Sequence, residues 1–426
     1  MSPLRLETTL ANGAELLAIH TPGLKSGVIA AHVRVGSRFE QSENAGISHF
    51  LEHMLCRGTA RHPSAHEQAL AFESVAGTLS AATLVDHGTL SVALPADTFD
   101  PVAPLFAETF EAPLLTDIEL ERGIIEEEIL EGLDESGKSI DGDNLVRELC
   151  FEDHPLGFPI TGTLDHVRRF EPAILRAHHA RHYTGACSVI SVAGPFDPEH
   201  VLATLTRCFE GLGSGAAPSF RAPPEQTAPR FRYVRNPGSQ TTLRIAFRAP
   251  GRGAKLEPAT ELLLRTLDDG MSTRLYHQIC DIRGLCYDIS AAYEAYADVG
   301  LFDIQTDTLH ERAGQVLEET FNVLRDLRSH GPSDAELAKA KRRASWEFSA
   351  IWDDAAELAD FCGTARLLGM TSTPEARREE LLAVSVDDVR QAATSVFRRD
   401  SLSVVAVGVL PRRAQHALAR LVETFG

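Results

Sequence analysis

The sequence has no apolar run of 18 or more residues, so it predicts no transmembrane helix. It also lacks, before Leu16, the apolar core that a secretion signal requires. No two of its seven cysteines are spaced as C-x-x-C, and their odd number and wide spacing indicate neither a zinc ribbon nor a disulfide framework. We therefore expect a protein of the reducing cytoplasm with no membrane partner.

Positive charge is also scarce. The chain has 41 lysine and arginine residues against 60 aspartate and glutamate residues, which gives a formal net charge of −19. Because binding to a phosphate backbone requires basic surface, we expect no nucleic-acid partner. The acidic balance suits basic or neutral peptides, although an acidic surface also serves solubility. With 426 residues, 43% of them hydrophobic, the chain can bury more than one core.

The most specific pattern that is present is H-x-x-E-H, which runs from His49 to His53. On a helix, two histidines four residues apart project from one face, and Glu52 lies beside them. Catalytic zinc sites use three imidazole or carboxylate ligands and a water molecule, with a nearby carboxylate as general base. The pattern predicts that His49 and His53 bind zinc and that Glu52 activates water, on a helix capped by Asn44. The alternative is two core histidines with an incidental glutamate.

A third ligand is expected on a second helix, which the periodicity of residues 118–133 predicts and which Thr116 or Asp117 can cap. Glu121 and Glu128 are seven residues apart, so they lie on one face of this helix. Glu128 can bind the metal while Glu121 supports a histidine or the water from behind. Periodicity alone leaves open which carboxylate of the helix is the ligand.

Four segments, in order along the chain, resemble the pitrilysin/insulysin family of zinc peptidases. The resemblance is to its short branch near the mitochondrial processing peptidases and bacterial processing proteases, and it covers nearly the whole chain. It implies Zn2+ as cofactor. Glu128 lies 75 residues after His53, which is the family's spacing for its third ligand, and Glu121 matches the family's supporting carboxylate. The four segments are Leu10–Gly13, Gly46–Thr59, Gly77–Thr83 and Glu121–Ile129.

One order of elements occurs twice in the sequence. Asp117 and Asp334 each open a helix, and they are 217 residues apart, which indicates two copies of one module. The preceding strand and helix are predicted at 79–94 and 98–110 in the first copy, and at 289–306 and 311–329 in the second.

We predict a zinc-binding module at 1–212, a Gly/Pro/Ser-rich linker at 213–230 and a degenerate second module at 231–426. Each module is expected to be α+β, an antiparallel sheet with helices packed on one face. The resemblance implies that the two modules form a clam-like cleft. The second module has no H-x-x-E-H, and at the repeat offset Ala338 and Ser345 replace the two glutamates.

Ser80 and Ala81 are predicted to bind substrate. In the family, the corresponding edge strand pairs with an extended peptide, so that backbone hydrogen bonds give affinity. Ser80 stands where the family usually has asparagine, which weakens any contact made by that amide, unless Ser80 is merely a small strand residue. His87, on the same predicted strand, is expected to be a surface or packing histidine.

Tyr287 resembles a family tyrosine that, together with an arginine seven residues earlier, binds the peptide backbone near the zinc. Here Cys280 occupies the arginine position, and Arg283 is present at a different offset. Asp268 and Asp269 lie in a loop where glycines are common. The chain thus resembles the zinc-bearing partner of a two-chain peptidase whose other, homologous subunit supplies the Arg/Tyr pair.

The function predicted is a zinc endopeptidase that acts on short or unstructured peptides, as the catalytic subunit of a heterodimeric processing protease. One alternative is a self-sufficient homodimer. Another is a non-catalytic structural or assembly subunit of the same fold, similar to the core subunits of respiratory complexes. A narrower version of the enzyme matures one dedicated peptide by removing its leader.

Overall fold

The computed structural model describes Leu4–Met370 and Thr373–Gly426. Contacts divide these residues into two compact units, each made of three chain segments. The first unit contains the described residues up to Ile129, Phe158–Phe220 and those of Glu347–Ala376. The second contains Leu130–Gly157, Arg221–Trp346 and Arg377–Gly426.

A six-stranded sheet forms the centre of the first unit. Its strands are β1 (Leu4–Thr9), β2 (Glu15–His20), β3 (Ser26–Val33), β4 (Thr78–Thr83), β5 (Gly88–Pro95) and β6 (Ser188–Gly194). Their order across the sheet is β1-β2-β6-β3-β5-β4, and every neighbouring pair is antiparallel except β2 and β6. Strand β4 therefore lies at an edge of this sheet.

A five-stranded sheet forms the centre of the second unit. Its strands are β7 (Arg230–Arg235), β8 (Thr241–Pro250), β9 (Cys286–Ala295), β10 (Val299–Thr308) and β11 (Leu402–Gly408). Their order is β7-β11-β8-β10-β9, with one parallel pair, β7 and β11. Strand β9 lies at an edge and forms a hairpin with β10, as β4 does with β5 in the first sheet.

Fifteen α-helices complete the described part of the chain, and a short π-helix spans Tyr276–Asp281. In the first half they are α1 (Ile47–Leu55), α2 (Ala65–Glu73), α3 (Phe99–Glu111), α4 (Ile118–Glu131), α5 (Gly142–Phe151), α6 (Leu164–Val167), α7 (Pro172–His182) and α8 (Pro198–Phe209). In the second half they are α9 (Glu257–Leu267), α10 (Ala313–His330), α11 (Asp334–Ala350), α12 (Ala355–Leu367), α13 (Pro374–Ala383), α14 (Val386–Val396) and α15 (Arg412–Glu423). No helix among the described residues combines the length and the apolar character needed to cross a bilayer.

The first sheet is covered on both faces. Every residue of β3 from Gly27 to Val33 is buried, and so is every residue of β6, which is typical of strands packed between two layers. One layer is α12, which packs on β3 and β6. Polar contacts between α12 and the sheet include Ser191 Oγ, which donates to Ala359 O at 3.0 Å, and His32 Nδ1, which lies 3.3 Å from Thr364 Oγ1. The His32 ring packs so closely on Gly363 that a Cβ there would lie 2.2 Å away.

The prediction of two sheet-plus-helix modules is confirmed. The structure adds that each unit is built from segments that are separated along the chain. The strands of the first sheet end at Gly194 and those of the second begin at Arg230, on either side of the predicted linker. The units are nevertheless discontinuous, because α5 packs on β8 and β11 of the second sheet while α12 packs on the first. Helices were predicted on one face of each sheet only. In the structure α12 and α5 cover the other face of the first and second sheet, respectively.

The two predicted strand regions are hairpins. Residues 79–94 form β4 and β5, which are joined by a turn closed by a hydrogen bond from Leu84 N to His87 O at 2.8 Å. His87 therefore lies in the turn rather than on the strand, and its Nδ1 is 2.9 Å from Asp86 Oδ1. Residues 289–306 likewise divide between β9 and β10.

Candidate metal centre

Helix α1 carries H-x-x-E-H, and its first turn is held by a carboxylate from outside the helix. Glu40 accepts hydrogen bonds from the backbone N–H groups of Gly46, at 2.8 Å, and Ser48, at 2.9 Å. These are two of the N–H groups that a helix start leaves without an intrahelical partner. The prediction that Asn44 caps this helix is wrong: its Oδ1 accepts instead from the N–H of Gln41, in the loop before the helix.

Glu40 positions the helix that carries H-x-x-E-H, although no capping pattern in the sequence marks it. Its side chain is buried, and burial raises the pKa of its carboxyl group even though the hydrogen bonds to Ser48 and Gly46 oppose the shift. The Ser48 hydroxyl lies 3.1 Å from Nε2 of the buried His178, so the network continues into α7. A cap six residues before the residue it caps has no standard sequence signature, since capping patterns cover three residues.

Three potential ligand atoms meet in the first unit. Nε2 of His49 lies 3.5 Å from Oε1 of Glu128, and Nε2 of His53 lies 3.8 Å from Oε2 of the same carboxylate. The ligand atoms of all three residues lie within 4.8 Å of one another. Zinc bonds of 2.0–2.2 Å in tetrahedral geometry separate two ligands by about 3.4 Å. The 3.5 and 3.8 Å separations, which involve the two different oxygens of Glu128, are close to this value.

The three residues differ in burial, so that the cluster is exposed to solvent on the Glu128 side. His49 is buried, whereas the Glu128 side chain is 42% exposed. Burial, together with the charge of a protonated His53, lowers the pKa of His49 to about 4. His49 is therefore neutral at physiological pH, as a metal ligand must be.

Glu121 lies behind His53. Its Oε1 is 2.8 Å from His53 Nδ1, and its other oxygen forms a salt bridge with Arg57. Burial raises the pKa of Glu121, but the His53 hydrogen bond and the Arg57 charge outweigh burial and hold the pKa below its ordinary value. A carboxylate in this position accepts from Nδ1–H and leaves the Nε2 lone pair for a metal. Of the two roles predicted for Glu121, the geometry corresponds to support of a histidine.

The pKa of His53 is raised, so a metal ion that binds its imidazole would have to compete with a proton. Burial lowers the pKa of its imidazole, but the Glu121 hydrogen bond and the charges of Glu121, Glu52 and Glu128 raise it above the ordinary value. Binding of a cation at Nε2 therefore displaces a proton, and affinity at this site should fall as the pH is lowered.

Glu52 is half-buried and precedes His53 on α1. Its charge acts on His53 and also on Cys56 and the buried Tyr183. Burial and then the Glu52 charge raise the pKa of Tyr183, whose ring stacks on His179 with centroids 4.7 Å apart. Glu52 is therefore close enough to His53 and Tyr183 for its charge to act on both.

Ser80 and Ala81 lie on β4, the edge strand that packs against α1. Ser80 is exposed and Ala81 is half-buried, so the two alternate across the strand. Strand β4 pairs with β5 on one side only, with Ser80 opposite Ser91. An edge strand presents backbone N–H and C=O groups to an added strand.

The second unit holds the other residues singled out from the sequence. Tyr287 lies on edge strand β9 and is 92% exposed, while Cys280 lies in the π-helix. The Arg283 guanidinium is 3.1 Å from Glu319, so it is engaged in an ion pair. Asp268 accepts from the N–H of Ala291 at 2.7 Å, and Asp269 pairs with Arg343 at 2.6 Å. Both aspartates therefore have structural partners, and neither belongs to the ligand cluster.

Two family models match the chain. Residues 16–163 match the family described as insulinase (peptidase family M16), and residues 169–344 match the peptidase M16 inactive domain. The first match contains His49, His53 and Glu128, and the second contains Cys280 and Tyr287. The predicted metal ligands and the two residues singled out in the predicted second module therefore fall into different models.

Curated relatives and solved structures resemble the chain along nearly its whole length. An uncharacterized zinc protease of Streptomyces coelicolor is 30% identical over 421 residues, which is 93% of this chain and 88% of the relative. One of Mycobacterium tuberculosis is 29% identical over 405 residues, 92% of this chain and 90% of the relative. The crystal structure of a protease from Helicobacter pylori has a TM-score of 0.88 at 19% identity and covers 96% of this chain and 100% of that one. The crystal structure of a peptidase M16 inactive domain from Pseudomonas fluorescens has a TM-score of 0.86 at 21% identity. The match covers 96% of this chain and 98% of that one.

Proposed function

The chain belongs to the insulinase (M16) peptidase family, and on that premise we propose that it is a zinc-dependent endopeptidase acting on short or unstructured peptides. The observation that carries the proposal is the convergence of His49, His53 and Glu128 within 4.8 Å. Two imidazoles and one carboxylate form a donor set used by catalytic zinc sites. The relatives are named zinc proteases, which supports zinc as the ion.

The residues around the proposed ion have separate tasks. Zinc, when bound, acts as a Lewis acid that acidifies water and polarises a carbonyl group. His49, His53 and Glu128 would hold the ion, and Glu121 keeps the His53 proton on Nδ1. Glu52 would take the proton from the attacking water and later deliver it to the leaving amine, as a general base and then a general acid.

We propose that the peptide binds along the edge strand β4. An extended chain that adds to β4 beside Ser80 and Ala81 would bind mainly through its backbone. Because α1 packs against β4, this binding strand lies next to the helix that carries the proposed ligand histidines. Recognition through the backbone requires an extended chain, which a short or unstructured peptide can adopt and a folded domain cannot.

We further propose that a homologous partner subunit with an Arg/Tyr pair completes the site, with a homodimer as the alternative arrangement. Cys280 offers a thiol where the resemblance calls for a guanidinium. Arg283 is a poor substitute because its guanidinium is paired with Glu319. The match of residues 169–344 to a domain described as inactive also supports a second half that lacks the complete set of catalytic groups.

Removal and return of the metal test the proposed function. The purified chain, alone and with a homologous partner, is assayed on a panel of unstructured peptides before and after treatment with a chelator. We expect cleavage to be lost on chelation and restored by one equivalent of zinc, but not by magnesium, which prefers oxygen ligands. Equal cleavage by the metal-free protein would overturn the proposal.

A further inference from the structure

Two cysteine side chains of the second unit lie in contact at the turn that leads into β9. Cys280 belongs to the π-helix, and Cys286 is the first residue of β9. Their Sγ atoms are 3.4 Å apart. Both residues are free thiols and both are partly exposed, whereas Cys150, Cys187 and Cys362 are buried.

The backbone fixes this proximity. Gly284 adopts a left-handed φ of 59°, which favours glycine, and its N–H donates to Cys280 O at 3.0 Å. The N–H of Leu285 donates to Ile279 O, also at 3.0 Å. These two hydrogen bonds close the reversal of the chain, so that residue 286 returns beside residue 280. The turn therefore places the two cysteines side by side.

We propose that Cys280 and Cys286 are a reversible oxidation site, which forms an intramolecular disulfide on exposure to a peroxide or a small-molecule disulfide. A disulfide bond is about 2.05 Å long, so the sulfurs must approach by about 1.4 Å, a movement that side-chain rotation and a small shift of the turn can supply. Partial exposure gives the oxidant access, and the adjacent second thiol captures the first oxidised sulfur before it is oxidised further.

With a peroxide, the chemistry proceeds in two balanced steps. The Cys286 sulfur attacks one peroxide oxygen, the O–O bond breaks, and a sulfenic acid and one water molecule result. The Cys280 sulfur then attacks the sulfenic sulfur, the S–O bond breaks, and the disulfide and a second water molecule result. Two thiols are oxidised by two electrons, and the peroxide is reduced to water. Added thiol reverses the change by exchange.

The order of attack follows from the surroundings of the two sulfurs. Burial, the hydrogen bond with Cys286 and the charge of that sulfur raise the pKa of the Cys280 thiol to about 12. The Cys280 thiol therefore keeps its proton. The thiolate is the nucleophile in these reactions, so Cys286 attacks first and Cys280 resolves the intermediate.

The position of the pair gives the oxidation a structural consequence. A disulfide would fasten the π-helix to the start of β9, one residue before the exposed Tyr287. Amide hydrogen exchange across 276–290 should become slower in the oxidised protein. This readout does not depend on peptidase activity, so it separates failure of this inference from failure of the proposed function.

Peptide mapping tests the proposal directly, because trypsin cleaves after Arg283, between the two cysteines. The full chain is treated with hydrogen peroxide or oxidised glutathione, alkylated and digested. We expect peptides 275–283 and 284–312 to appear joined, two hydrogens lighter than their sum, with two of the seven thiols lost and regained with dithiothreitol.

Three variants control the test. Cys280→Ser and Cys286→Ser should each abolish the joined peptides, and Cys208→Ser, which removes another partly exposed thiol, should leave them unchanged. Circular dichroism checks that each variant folds. Full alkylation of both cysteines after oxidant, or a cross-link that joins either one to a different cysteine, would overturn the proposal.

Discussion

Nδ1 of His53 and Oε1 of Glu121 are 2.8 Å apart, and this contact sets the direction in which His53 presents its other nitrogen. Because Glu121 is itself held by Arg57, the imidazole is fixed through a chain of three side chains. The proposed ligand set therefore depends on Glu121, which is not itself a proposed ligand.

The first prediction is that Glu121→Gln lowers zinc affinity by about 10- to 100-fold without changing the number of ligands. The amide can still accept a hydrogen bond but loses the charge that favours the Nδ1–H tautomer and the pairing with Arg57. Competition with a chromophoric chelator measures the affinity. Glu126→Gln, on the same helix and paired with Arg168, is the matched control. Equal affinities of Glu121→Gln and the wild type would contradict this role.

The second prediction separates Glu128 from its neighbour. Glu128→Gln should lose bound zinc, because the carboxylate 3.5 Å from His49 Nε2 is replaced by a neutral amide. Glu127→Gln should keep one zinc per chain, since Glu127 is not a member of the cluster. The zinc content of the two variants is measured after gel filtration and compared with that of the wild type. Loss of zinc in the Glu127 variant alone would show that the ligand lies one residue earlier.

The third prediction concerns the start of α1. Glu40→Ala should lower the free energy of unfolding by roughly 2–4 kcal/mol, because it leaves two buried N–H groups without their charged acceptor. Asn44→Ala should cost about 0.5 kcal/mol or less, since its hydrogen bond lies in an exposed loop. Urea unfolding of the metal-free proteins compares them. A larger loss for Asn44→Ala than for Glu40→Ala would restore Asn44 as the cap.

The fourth prediction concerns acid stability. Burial, with a smaller contribution from the charge of His87, lowers the pKa of His32 to about 3, against the pull of the Ala359 carbonyl. The ring is faced by Ser191, Thr364 and Asp360. The folded state therefore keeps His32 neutral while the unfolded chain binds a proton below about pH 6.5. Its contribution to stability is complete above pH 6.5 and declines as the pH falls toward 3, by about 1 kcal/mol per pH unit.

His32→Asn isolates this contribution, because the other buried histidines titrate in both proteins. The variant should be less stable at pH 7.5, yet its stability should fall less steeply between pH 6.5 and 5 in urea unfolding with excess chelator. Parallel pH profiles for the two proteins would show that His32 does not carry the effect.

The fifth prediction concerns the completeness of the active site. The chain alone should cleave peptides weakly, and a homologous partner with an Arg/Tyr pair should raise the rate. A missing charged hydrogen bond of about 1.5–3 kcal/mol corresponds to roughly 10- to 100-fold in rate. Cys280→Arg should recover part of it in the isolated chain. Robust turnover by the unmodified chain, unchanged by Cys280→Arg, would favour the homodimer.

The parts of the site that the sequence predicts are those set by local periodicity. The four-residue spacing of His49 and His53 and the seven-residue spacing of Glu121 and Glu128 place each pair on one helical face. Helix α4 ends at Glu131, close to the predicted end at 133. Spacing left open whether Glu121 supports a histidine or a water molecule, and in the structure its Oε1 lies 2.8 Å from His53 Nδ1.

The parts that the sequence does not predict depend on contacts between distant segments. The Glu40 cap replaces a local capping signal at Asn44, because a buried carboxylate that reaches two N–H groups outcompetes an exposed amide. Helix α12 covers the first sheet from more than 150 residues beyond its last strand, at Gly194. Periodicity identifies the buried faces of such elements, but it does not say which surface buries them.

Zinc content and peptidase rate of Glu52→Gln, measured on one preparation, test directly whether this is a zinc site with Glu52 as its general base. We expect one zinc per chain and an unchanged fold, because Glu52 is not a member of the ligand cluster. Peptide cleavage should be about 10²–10⁴-fold slower through loss of the general base. Wild-type turnover by this variant with zinc bound would rule out the proposed role of Glu52.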